Sequence, residues 1–123
     1  MNSSTQRSDV EKLGHVTLPA AAAHLHVHSE RGIDGAVWAR FELPAAELDG
    51  FLSNAGYIEL SNRQRFVENW HLPSKAPWWT PDDVATFRSG QLRREGSKPR
   101  YAGHVLVSAN GDSRTVYLFV TGL

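Results

Sequence analysis

The turn Asn110-Gly111-Asp112 and the two runs beside it constrain this chain more than any other feature. Tyr101 to Ala109 and Thr115 to Thr121 are rich in β-branched and aromatic residues, and Asn-Gly is a strong short-range hairpin signal. An odd pairing sum places Val105, Val107, Val116, Leu118 and Val120 on one face. His104, Leu106, Tyr117 and Phe119 then share the other. Apolar groups on both faces predict a central hairpin covered from both sides.

A second hairpin is predicted upstream. Ala23-His-Leu-His-Val-His28 alternates strictly, and so does Ala36-Val-Trp-Ala-Arg-Phe-Glu-Leu43, with a Gly-containing turn at 29–35 between them. If Leu25 and Val27 face the core with Val37, Ala39 and Phe41, then Trp38, Arg40 and Glu42 join the histidines on the other side. From Pro44 the period changes. Leu48, Phe51, Leu52 and Ala55 form one helical stripe, and Gly56 follows where a left-handed cap is needed. Residues 57–77 carry little pattern. Thr80-Pro81-Asp82-Asp83 predicts an N-cap and a short helix over about 81–87. Residues 1–16 are polar and aperiodic and are expected to form a flexible arm, leaving 17–123 as a single domain. The expected fold is α+β: an antiparallel sheet of about four strands in two hairpins, with the helix at about 44–55 packed on one face.

Composition narrows the chemistry. There is no cysteine among the 123 residues, which removes disulfides, thiolate nucleophiles and cysteine-built zinc sites. Thirteen basic and thirteen acidic side chains cancel, so net charge gives no steering toward nucleic acid or anionic lipid. The two halves differ, however. Residues 1–62 hold four basic and eight acidic side chains, and residues 63–123 hold nine and five. The excess lies at 87–100, read as a basic loop bearing Arg88, Arg93, Arg94, Lys98 and Arg100, groups suited to phosphates or an acidic partner. No helix–turn–helix, RNA-binding aromatic motif or zinc finger accompanies it, so nucleic acid is not the expected partner. No G-x-S-x-G, P-loop, G-x-G-x-x-G or H-E-x-x-H occurs, so no nucleophilic or nucleotide chemistry is indicated.

Two constellations remain. His24, His26 and His28 recur every second residue on a strand, with Glu42 the acid on the facing strand. Two neighbouring imidazoles of this set are close enough to share Zn or another divalent transition metal, whereas the outer two lie roughly 13 Å apart. The reading set against this is a solvated strand face rich in histidine. His24-Leu-His26 with Glu30 also matches part of the first cupin metal motif, but Leu18 and Val37 stand where that motif has glycine. The second constellation is Trp70, Trp78 and Trp79 among Pro73, Pro77 and Pro81. Its tryptophans serve either as cover for a small core or as an interaction surface. Trp78 and Trp79, being adjacent, do not easily both face inward.

Leu18-Pro19, Gly32-Ile33-Asp34, Trp38-Ala-Arg-Phe41, Pro44, Leu48, Phe51-Leu52, Pro77-Trp78-Trp79, Pro81 and Val116-Tyr117-Leu118 together resemble a group of small uncharacterised bacterial proteins, some lipoprotein- or envelope-like. The resemblance spans roughly residues 18–121 and brings no catalytic residues; the lipobox cysteine is missing. The function expected from the sequence is non-enzymatic, cofactor-free binding to another protein, of immunity, inhibitor or envelope-accessory type. Its expected contact residues are Trp78, Trp79, Arg88, Arg93, Arg94, Lys98 and Arg100. The alternative is a metal-binding protein or small metalloenzyme using the His-x-His strand. No membrane span is expected. The chain as given is placed in the cytoplasm by default, with the envelope open if a signal was trimmed.

Overall fold

The computed structural model describes residues 3–30, 35–72, 76–96 and 98–123. Residues 31–34 of the turn expected at 29–35, Pro73 and Ser97 lie outside the described residues. Among those described, the elements are α1 (Ser3–Gly14), β1 (Ala23–Glu30), β2 (Ala36–Pro44), α2 (Ala45–Ala55), β3 (Phe87–Arg94), β4 (Tyr101–Ser108) and β5 (Ser113–Gly122). The five strands form one antiparallel sheet in the order β1-β2-β5-β4-β3. The class is therefore α+β, as expected, but the sheet holds five strands where about four were predicted.

The predicted parities are those observed. Val105 pairs with Leu118 and Val107 with Val116. Val27 pairs with Ala39, and His28 with Trp38. β5 lies at the centre of the sheet, and its valines are fully buried on the helix-bearing face. That core joins Val37, Phe41, Leu43, Val105, Val107, Val116, Leu118 and Val120 to Leu48, Phe51 and Leu52 of α2. The predicted stripe thus faces inward, with Phe51 edge-on to Phe41 at 5.5 Å. α2 ends at Gly56, whose φ of 96° is open to glycine. The Tyr57 N–H reaches the Leu52 carbonyl and the Gly56 N–H that of Ser53, which together satisfy the helix end.

Three expectations need correction. Residues 3–14 form a helix rather than a flexible arm. Val10 enters the core, Arg7 donates to the carbonyls of Leu18 and Pro19, and the Leu18 N–H donates to Glu11. The short helix at about 81–87 shrinks to a single 3₁₀ turn, Pro81–Asp83, because Phe87 already belongs to β3. Thr80 does not cap it; its hydroxyl lies 3.0 Å from that of Tyr117. The basic loop at 87–100 is mostly strand, since Phe87–Arg94 pair along β4.

The weakly patterned segment after α2 crosses the edge of β3 and covers the second face of the sheet. Ser61 and Ser89 exchange backbone hydrogen bonds of 2.8 Å there. Buried Ser89 donates its hydroxyl to the Val105 carbonyl and accepts the Phe66 N–H. Gly90 permits the crossing, because a Cβ there would come within 2.9 Å of the Glu59 carbonyl oxygen. Beyond the edge, Val67, Leu72 and Trp79 pack on Trp38, Phe87, Leu106 and Tyr117 in a second core. Asn69 and Asp82 clip the segment together, each side chain accepting the other's backbone N–H. No helix among the described residues is long and apolar enough to cross a membrane.

Candidate functional site

The second face of the sheet carries a chain of aromatic rings. Trp38 on β2 stacks on Phe119 of β5, with centroids 5.1 Å apart. His71 and His104 each lie 5.4 Å from Phe119 and 6.3 Å from one another. Trp70 sits against His71 at 4.1 Å. The Trp38 indole N–H donates to the His71 carbonyl, fixing the covering segment on the sheet. Backbone partners also define the two tautomers. His71 Nδ1 accepts the Glu68 N–H, so its proton lies on Nε2. His104 Nδ1 faces the Phe119 carbonyl and must donate to it, leaving Nε2 as an acceptor. Burial pushes the His104 imidazole below its usual range, the Phe119 bond opposes that, and His71 adds to the depression.

The three tryptophans of the proline-rich section have different fates. Trp79 is buried, donates its indole N–H to the Glu68 carbonyl, and meets Tyr117 edge-on. Trp78 is half-buried, edge-on to Trp79 and stacked on His26 at 5.7 Å. Trp70 points out of the core and is 70% exposed. The adjacent pair thus divides as expected, Trp79 inward and Trp78 to the rim. The large free ring is Trp70, which the predicted contact set omits. Arg40 completes this face, its guanidinium 5.7 Å from the Tyr117 ring and its Nε buried without a partner.

The histidine row lies at the border of the same face. A bulge between Ala23 and His26 interrupts the pairing, and His24 there adopts a left-handed φ of 54°. His26 stacks on Trp78, His28 lies 5.2 Å from Trp38, and His28 Nε2 is 3.3 Å from Glu30. Glu42 accepts a hydrogen bond from Ser113. Among the described residues, no three His, Asp or Glu side chains are grouped to hold a metal ion. The set His24, His26, His28 and Glu42 is therefore not brought together.

The basic residues also part company. Alternation along β3 sends Arg88 and Arg94 to the helix-bearing face and Arg93 to the aromatic one. Arg88 pairs with Asp49 of α2 at 3.2 Å, and Arg93 with Glu95 at 2.9 Å. Lys98 and Arg100, in the turn before β4, line an open cleft of about 770 Å³ with Lys12 and His15 at the end of α1. Neither Lys12 nor His15 stood out in the sequence, because a polar N-terminal stretch shows nothing of where its helix will dock.

The fold thus defines a layered α+β domain with an aromatic face and a cationic cleft. Over 81 residues the chain is 32% identical to the probable inorganic carbon transporter subunit DabA2 of Halothiobacillus neapolitanus. That match covers 63% of this chain and 9% of the larger protein, so the chain spans only a small part of the relative's length. No family model and no solved structure matches the chain.

Proposed function

We propose that this chain is a non-enzymatic binding domain that acts by contact with another protein, through the aromatic face bearing Trp70. The observation that carries this reading is the 70% exposure of Trp70. A rigid aromatic ring held in solvent beside a fixed imidazole gives large contact area at small entropic cost, which is why tryptophan is enriched at interface hot spots. Half-buried Trp78 and exposed His26 extend the surface along the same face of the sheet, and the Arg93–Glu95 ion pair lies at its border. The likeness to a short stretch of a transporter subunit supports a role as a module within a larger assembly. It favours the accessory reading over a free-standing inhibitor.

A photo-crosslinking amino acid at position 70, with a control at exposed Asn110, tests the proposal in the native cell. The expected result is a discrete protein adduct from position 70 and none from 110. Absence of an adduct at 70, or the same adducts from both positions, overturns it.

A further inference from the structure

A second site lies beside α1, independent of the aromatic face. Its walls come from distant parts of the chain: Lys12 and His15 from the end of α1, Lys98 and Arg100 from the turn before β4, and the residues that close β5. The volume, about 770 Å³, is that of a small-molecule site. None of the lining residues has an acidic side chain. Glu95, just ahead of this segment, pairs with Arg93 at 2.9 Å, and its charge also reaches Arg100. Three exposed cations and an imidazole, brought together from two segments, repel one another to the extent that water and salt leave unscreened, and an anion between them would relieve that.

His15 is the fixed element of this cleft. It follows the last residue of α1 with a φ of 54°, and its ring stacks on Tyr101 at 4.1 Å. Burial, and then the charge of Arg94, hold its imidazole below the usual range, so a nearby anion would draw a proton onto it.

We infer that the cleft between α1 and the 98–100 turn binds a phosphate-bearing ligand, held by Arg100, Lys98 and Lys12 with His15 against the anion. Phosphate fits better than a single carboxylate. It carries up to two charges at neutral pH and three acceptor oxygens, and the Arg100 fork can meet two of them while the lysines act as point charges.

Two titrations, with inorganic pyrophosphate and with phosphatidic acid vesicles, separate a soluble phosphate compound from a lipid headgroup. Each is run on the wild-type chain and on the double variant Lys98→Ala, Arg100→Ala. The expected result is saturable binding in one of the two titrations, weakened at least about tenfold in the double variant while its melting temperature stays the same. The His15 resonance should titrate at higher pH in the saturated protein. Pyrophosphate binding makes the ligand soluble, and vesicle binding alone makes it a headgroup; either supports the site. Binding in neither titration, undiminished binding in the double variant, or an unmoved His15 titration overturns the inference.

Discussion

Tyr57 extends over Gly103, and the two residues decide each other's fit. A Cβ at position 103 would collide with the Tyr57 hydroxyl, so glycine is required there for close approach and not for backbone freedom. The hydroxyl itself is buried without a hydrogen-bond partner, and burial pushes the phenol well above its usual range. Gly103→Ala should destabilise the fold by about 1–3 kcal/mol in urea unfolding. Tyr57→Phe, which removes an unsatisfied polar group, should be neutral or stabilising by up to about 1 kcal/mol. Because the two atoms touch, Tyr57→Phe should also recover part of the Gly103→Ala loss. None of this was legible in the sequence, where Gly103 is one small residue in an alternating strand. The imidazoles give a second test. His15 and His104 both protonate less readily in the folded chain than in the unfolded one. As pH falls through the ordinary histidine value, the unfolded chain takes up protons that the folded chain refuses, so stability drops with falling pH. The urea midpoint should decline between about pH 7.5 and 5.5, and His104→Gln should flatten that slope.

At the scale of elements, what could be read in advance was what periodicity encodes. The valines of β4 and β5 and the Leu48, Phe51, Leu52 stripe of α2 declare their faces because a shift of one residue would put them in water. α1 was hidden for the opposite reason. Val10 and Leu13 are its only large apolar residues in the core, and docking depends as much on Arg7 and Glu11 bonding to backbone at residues 18 and 19. Such polar ties have no period. β3 was hidden by being an edge strand, whose arginines and glycine read as loop. Val10→Ala should cost about 1–3 kcal/mol by urea unfolding, as expected of a cavity in a packed core. A change within experimental error would return residues 3–14 to the status of a loose arm.

Considered whole, the molecule is a sheet sealed by two helices on one side and, on the other, by the described parts of the segment between α2 and β3. The second layer could not be foreseen, because its contacts run through indole N–H groups, a serine at a strand edge and an Asn–Asp clip. The same layer decides which aromatic groups are available for function. It buries Trp38 and Trp79 to 4% exposure each while leaving Trp70 at 70%. The candidate site was accordingly half legible: the tryptophan section, Trp70 included, stood out, but which of its rings meets solvent did not. Acrylamide quenching of tryptophan fluorescence, compared between the Trp78→Phe chain, which lacks the half-buried rim ring, and the Trp70→Phe, Trp78→Phe double variant, tests that arrangement most directly. The readily quenched component should disappear in the double variant, and the remaining emission should shift to shorter wavelength. An undiminished quenchable component would mean that Trp38 or Trp79 meets water, contradicting the second layer and the contact surface placed on it.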